Sequence, residues 1–455
     1  MDSWQFAFVR NGQPEYEKAR CGSPWNGRIP DRYPDLIAYP ERDEHVQSIV
    51  KYAKEKKLTI GTKSGGHSWT ASFLRDGGIL VDLSKMNHYS FDVKDRTAEA
   101  QPAAYGSDLN AALVPHGLMF PGGHCPTVGL GGFLLQGGFG WNSRKWGVAC
   151  ESVMAIDVIT ADGDIIHADS QQNSGFYWAA RGAGCGYFGL ITRFYLRLHT
   201  LPRGIITSRY VFETADFDEV VTAIDAVSDQ VPPDLEIGFF VAHDQDGFEG
   251  RPTVAITADA LSDTHEEATR ALDLLHNLPP MKKTIKSSPY VACTLKEMLQ
   301  RFDDILDNPG RRYEANNMWT DEPVGKLLPS FHRIIEALPP APSHLYMMWW
   351  LPTRDRPDMA FSMEARLYVA LYAISTDATR DLQHLGYVVE SISLMDAQRK
   401  GIQLADENLP AHPGKFMKTQ NYMRLEKLRR RHDPEGRFHN YIRLPVDFQR
   451  AMGSL

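Results

Sequence analysis

Apolar and polar positions alternate in two registers along the first two hundred residues. Short apolar runs at Leu36–Pro40, Leu58–Thr62 and Ile79–Leu83 read as strands. Between the first two, Val46, Ile49, Val50 and Ala53 fall at i, i+3, i+4 and i+7, which is one face of a helix, with Asp43 placed to cap it. Ser107–Leu113 reads as a short helix capped by Ser107. Val153–Thr160 and Asp164–Ala168 flank Ala161-Asp162-Gly163, a hairpin signal.

The texture changes near Leu201-Pro202-Arg203-Gly204. Beyond it, β-rich runs at Arg209–Phe212, Leu235–Val241, Thr253–Ala258, Tyr346–Leu351 and Ala365–Ile374 separate amphipathic helices at Glu266–Leu275 and Ala378–Ile392. A last helix is predicted at Met423–Arg431. The pattern predicts an α+β chain whose second domain is an antiparallel sheet covered by helices on one face. At 455 residues the chain is long for one core, so two domains are expected.

Composition narrows the function classes. The formal net charge is −8, and the densest basic run, Arg429–Arg431, sits beside Glu426 and Asp433, so the basic face of a nucleic-acid binder is not expected. No apolar run approaches the ~18–20 residues that span a bilayer. Residues Met1–Phe6 lack a basic segment followed by an apolar one, and the ending Met452–Leu455 is not a peroxisomal signal, so a cytoplasmic protein is expected. The five cysteines, Cys21, Cys125, Cys150, Cys185 and Cys293, form no CxxC pair, and no His pattern suggests a metal site.

Three glycine-rich segments carry the chemical signal. Lys63-Ser64-Gly65-Gly66-His67-Ser68 leaves a strand directly, and its glycines let backbone N–H groups turn toward an anion while Ser68 adds a hydroxyl. The run from Gly122 to Gly140 contains Gly122-Gly123-His124-Cys125-Pro126-Thr127-Val128-Gly129-Leu130-Gly131-Gly132. It suits backbone that approaches something closely better than it suits a packed helix. Arg181–Thr192 is a third glycine-rich loop entering a strand.

In this order the segments resemble the berberine-bridge-enzyme-like branch of the vanillyl-alcohol-oxidase flavoprotein family. Gly65-Gly66-His67 matches its Gly-Gly-His motif and Cys125–Gly129 its Cys-Pro-Thr-Val-Gly motif; Asp433-Pro434 before Phe438, Asn440 and Ile442 extends the likeness to the C-terminus. The resemblance implies a two-domain PCMH-type FAD-binding fold. Residues 1–203 would form the FAD domain, residues 204–409 the substrate domain, and residues 410–455 a segment returning to the FAD domain. It implies FAD bonded twice, through His67 to the 8α-methyl carbon and through Cys125 to C6. Ser64, Gly65, Gly66, Ser68, Thr127, Gly129, Gly132, Gly140, Ile191 and Asn440 would line the cofactor. Val128 would face the side where dioxygen reacts, and valine there favours an oxidase over a dehydrogenase. A small hydroxylated or amine substrate would give a hydride to flavin N5, and dioxygen would then be reduced to hydrogen peroxide.

Three departures qualify the likeness, one being Gln136 where a glycine is common. Phe133 stands where many relatives have a His that bonds the ribityl chain. Thr419, in Lys418–Tyr422, stands where plant relatives have a catalytic tyrosine, and a threonine hydroxyl is too weak a base to replace it. Other bases are therefore sought in the second domain at Tyr313, Glu314, Glu364, Tyr368 and Tyr372, of which Glu364, Tyr368 and Tyr372 have the even spacing of one strand face. Trp319, Trp349 and Trp350 read as core. A dehydrogenase of the same fold using another acceptor, a flavin-binding protein without efficient turnover, and a noncovalent NADPH-dependent reductase remain alternatives.

Overall fold

The computed structural model describes residues 4–306 and 310–452. Residues 1–3 and 453–455, on which part of the leader and targeting readings falls, lie outside the described residues.

The N-terminal part holds two larger sheets and a two-stranded one that pairs Leu118–Met119 with His199–Thr200. The first runs in the order Ala7–Arg10, Leu36–Tyr39, Ile79–Asp82, Ile60–Lys63, with its last three strands parallel. Parallel strands need a crossover, and the helix Asp43–Lys56 supplies it, burying Val46, Ile49, Val50 and Ala53. Asp43 is the first residue inside this helix, not its cap; Arg42 holds that position without a side-chain bond. Similarly, the next helix is Gly106–Leu113, and the Ser107 hydroxyl donates to the Pro126 carbonyl instead of capping. The second sheet is antiparallel, in the order Tyr89–Asp92, Thr97–Ala100, Leu190–Arg197, Val153–Ile159, Ile165–Asp169. Its last two strands form the hairpin around Ala161-Asp162-Gly163.

From residue 204 the chain builds a seven-stranded antiparallel sheet. The order is Lys286–Ala292, Gly204–Glu213, Pro252–Ser262, Leu235–His243, His344–Trp349, Leu367–Ser375, Arg312–Thr320. Alternation divides its faces. Ile237, Phe239, Val241, Leu345, Met347, Val369 and Leu371 pack against helices Phe217–Val227, His265–His276, Leu328–Glu336 and Asp381–Ser393. The opposite face, with Glu236, Gly238, Phe240, Tyr346, Tyr368 and Tyr372, lines a cavity.

The chain then returns to its beginning. Helix Thr419–His432 buries Tyr422 and Leu425 in the core that also holds Phe194 and Leu196 of the second sheet. Phe438 bridges Ile60 of the first sheet. Arg144 ties the glycine-rich region to the seven-stranded sheet: its guanidinium donates to the carbonyls of Val231, Pro232, Leu235 and Trp350.

Candidate active site

The glycine motifs meet backbone to backbone. A Cβ on Gly65 would lie 2.6 Å from the Gly129 nitrogen, and one on Gly129 would lie 2.7 Å from the Gly65 nitrogen. Gly66 has φ +80°, and a Cβ there would strike the Ser23 carbonyl at 2.5 Å. Only glycine allows the loop after Ile60–Lys63 and the loop before Leu130–Leu135 to form one wall. That six-residue helix sits within the run that read as unsuited to one. Beneath the first loop, Lys63 is buried in an ion pair with Asp82 at 3.0 Å, anchoring the end of its strand.

This wall bounds a cavity of about 440 Å3, within the range of small-molecule sites. Ser64, Gly65, Gly66, His67, Ser68, Cys125, Val128, Gly129, Gly132 and Ile191 line it, and so do Tyr368 and Tyr372 across from them. Thr127 links the two motifs: its hydroxyl lies 3.0 Å from His67 Nε2 and 3.6 Å from Cys125 Sγ. His67 is stacked on Trp25, with ring centres 4.7 Å apart. Beside Gly132 the space is open. Phe133 lines the cavity and wedges its ring between Gly123 and Gly138.

Several sequence-selected residues stand elsewhere. Gly140 does not line the cavity; it packs on the Pro121 and Gly122 carbonyls, where a Cβ would lie 2.3 Å from either oxygen. Asn440 is turned to its own chain: its Oδ1 accepts the Tyr441 N–H, while Phe438 and His439 line the cavity. Tyr313 lies one layer behind, against Trp25 and Trp69. Glu314 faces the other way and pairs with Arg28. Glu364 precedes the strand that begins at Leu367, so counting in twos from Tyr372 does not reach it. Its carboxylate takes Arg356 at 2.8 Å and Trp350 Nε1 at 2.7 Å, a structural ion pair away from the cavity. Thr419 opens the last long helix and is not in the lining. Trp349 and Trp350 are core, whereas Trp319 also lines the cavity.

The sequence reading missed Asp406. From the turn Leu404–Asp406 it accepts Trp69 Nε1 on Oδ1 at 2.7 Å, and on Oδ2 the hydroxyls of Tyr368 and, at 3.0 Å, Tyr372. Trp69 has only an N–H to give, so the carboxylate is the acceptor of this group. Burial, then the Asp406 charge, push both phenols well above their ordinary range. Both phenols therefore keep their protons and donate them in hydrogen bonds to Asp406.

A second polar pair lies beside Cys125. His124 Nε2 is 2.7 Å from Glu236 Oε1, and the ring rests on Trp141 at 4.1 Å. Glu236 is paired in register with Asp259, and both line the cavity. Burial opposes protonation of His124, but the charges of Glu236 and Asp259 outweigh it and raise its pKa. A charged residue in an otherwise apolar strand was the available signal for Glu236 and Asp259. Among the described residues no cluster suits a metal ion, and no helix is long and apolar enough to cross a membrane.

The chain is similar to known proteins in sequence and in fold. The profile of the FAD binding domain family matches residues 34–169. The FAD-linked oxidoreductase nodO of Hypoxylon pulicicidum is 31% identical over 438 residues, covering 94% of this chain and 95% of that protein. The fold is that of 6-hydroxy-D-nicotine oxidase from Arthrobacter nicotinovorans, with a TM-score of 0.85 at 22% identity over 97% of this chain and 98% of the other. It is also that of Physcomitrella patens BBE-like 1, with a TM-score of 0.82 at 18% identity over 97% of each chain.

Proposed function

The chain belongs to the FAD-linked oxidoreductases, and on that premise we propose that it is an oxidase of the berberine-bridge-enzyme-like branch of the vanillyl-alcohol-oxidase family, holding FAD by two covalent bonds, at His67 and Cys125. One observation carries this reading: a nucleophilic imidazole and a thiol from separate loops converge on the Thr127 hydroxyl at one wall of the cavity.

When bound, the flavin supplies a two-electron acceptor for a hydride from a small hydroxylated or amine substrate, and dioxygen then takes the electrons to give hydrogen peroxide. The chain's residues do the rest. Backbone groups of Ser64–Ser68 and Gly129–Gly132 suit a pyrophosphate, with Arg75 as the nearby cation in the lining. Residues 1–203 and 410–455 form the cofactor-holding unit, and residues 204–409 present the substrate wall. Tyr368 and Tyr372 orient the substrate donor and pass its proton to Asp406, replacing the base that Thr419 cannot provide. Val128, in the lining three residues after Cys125, leaves room for dioxygen.

The test is acid precipitation followed by mass measurement. The wild-type chain should stay yellow and carry the mass of one FAD. His67→Ala and Cys125→Ala should each keep the flavin through the remaining bond, and the double variant should release it. Release of intact FAD from the wild type would overturn the double attachment. A dithionite-bleached sample that stays bleached in air would overturn the oxidase in favour of a dehydrogenase.

A further inference from the structure

Glycine weakens the interior of a strand, because it costs entropy and brings no side chain to pack. Gly238 nevertheless sits in Leu235–His243, the middle strand of the seven, and lines the cavity. Its register partners are Thr257 on one side and Met348 on the other. Two rings take the space that its side chain would fill. A Cβ on Gly238 would lie 3.2 Å from Phe240 Cε2, 3.4 Å from Tyr346 Cε2 and 2.8 Å from Thr257 Oγ1. Phe240 stands two residues further along the same strand, and Tyr346 is its register partner on the next. Both rings lean over the bare backbone, with their centres 4.9 Å apart. Both are half-buried and line the cavity.

The aromatic surface continues from there. Tyr346 meets Tyr368 at 6.3 Å, Tyr368 meets Trp319 at 4.8 Å, and Trp319 meets Phe139 at 5.4 Å. All five rings line the cavity. Polar side chains beside them bond to the protein itself. Tyr368 and Tyr372 donate to Asp406, Glu236 holds His124 at 2.7 Å, and Thr257 Oγ1 donates to the Gly238 carbonyl at 3.5 Å. A sugar carries a hydroxyl on nearly every ring carbon, and those turned to this row of rings would lose their water without gaining partners. A flat apolar ring loses nothing there and gains aromatic contacts.

We propose that Gly238 is a specificity-determining residue that keeps Phe240 and Tyr346 low against the sheet, and that the substrate is a flat aromatic ring system carrying the oxidisable carbinol or amine carbon at its edge. A side chain at position 238 would push these rings into the cavity, since close-packed neighbours have nowhere else to go. This inference deepens the reading of the cavity as the place of substrate oxidation and rests on it.

The experiment uses purified holoprotein and three probes: 2-naphthalenemethanol, its saturated decahydro counterpart and glucose. The first two share one carbon skeleton and one carbinol, and differ in flatness and aromaticity. Binding is followed by isothermal titration calorimetry. The naphthalene alcohol should bind about tenfold or more tighter than the decahydro alcohol, and glucose weakest. In Gly238→Val, a substitution that suits a strand, the ratio of the two alcohols should fall toward one at unchanged flavin content. Phe240→Leu, which keeps the site apolar but removes one ring, should lower the same ratio, and it decides the matter alone if Gly238→Val does not fold. A merely structural role would weaken all probes together and leave the ratio intact. Equal affinities of the two alcohols, preference for glucose, no binding of the naphthalene alcohol at millimolar concentration, or an unaltered ratio in the folded variants each overturn the proposal. Calorimetry needs no flavin signal, and flavin content is measured separately, so failure of the flavin reading and failure of the aromatic floor are told apart.

Discussion

The Tyr368 hydroxyl donates to Asp406 Oδ2, joining a strand of the seven-stranded sheet to the turn that follows it at Leu404–Asp406. Tyr372, two positions further along the same face, reaches the same oxygen at 3.0 Å. Asp406→Asn keeps the shape but replaces the proton acceptor with an amide. With any substrate that bleaches the wild-type flavin, anaerobic reduction should slow by about 10²–10⁴-fold, the usual contribution of a positioned base. Flavin content should not change. Tyr368→Phe should slow reduction less, because Tyr372 still reaches the carboxylate. Wild-type reduction rates in Asp406→Asn would move the base to another residue.

Val128 makes a separate claim about the second half-reaction. Val128→Leu adds a methylene to the cavity lining where dioxygen is proposed to approach. Reoxidation of dithionite-reduced protein, followed in a stopped-flow instrument, should slow by about tenfold or more, a barrier increase of about 1.4 kcal/mol. Anaerobic reduction by substrate should change little. A Val128→Leu protein that reoxidises at the wild-type rate removes this residue as the gate.

The glycine segments were legible because their chemistry is local. Gly65 and Gly129 are needed where two backbones touch, and no other residue fits there. Strand alternation was legible for the same reason, since Ile237, Phe239 and Val241 must all face the helices. Asp406 was not, because a lone aspartate in a turn has no periodicity, and its meaning comes from Trp69, more than three hundred residues earlier. Glu364 misled in the opposite way: even spacing is informative only inside a strand, and this one starts at Leu367. Gly140 shows the same limit, since a glycine required by neighbouring carbonyls reads like one required by a ligand.

Arg144 should be worth more to stability than its charge suggests. It is buried, and burial lowers its pKa to about 10, so it stays charged at neutral pH. One planar guanidinium serves four carbonyls, at Val231, Pro232, Leu235 and Trp350, between 2.7 and 3.2 Å. A lysine ammonium cannot reproduce that fork. Arg144→Lys should cost about 2–4 kcal/mol in urea unfolding, and Arg144→Met at least as much, because the carbonyls are left unsatisfied. An unchanged urea midpoint in both variants would mean that water replaces the guanidinium without loss.

Glu314 sets the sign of one pH effect. Its side chain is 3% exposed, and Arg28 approaches it from the N-terminal segment. Burial raises its pKa, Arg28 lowers it, and Asp381 raises it again; burial prevails, leaving it at about 7. In the unfolded chain the group titrates near its ordinary value of about 4.3. Between those values the folded state holds a proton that the unfolded state has lost. Glu314 therefore contributes stability that is fully present below about pH 4.3 and drains away as pH rises through about 7. Glu314→Gln, uncharged throughout, removes this dependence. The stability of the wild type relative to Glu314→Gln should be greatest at the acidic end and decline by at most about 3 kcal/mol as the pH approaches neutrality. Chemical unfolding of both proteins across that interval checks it. A difference that grows with pH would mean that the Arg28 ion pair outweighs burial, and the sign assigned to this carboxyl would be reversed.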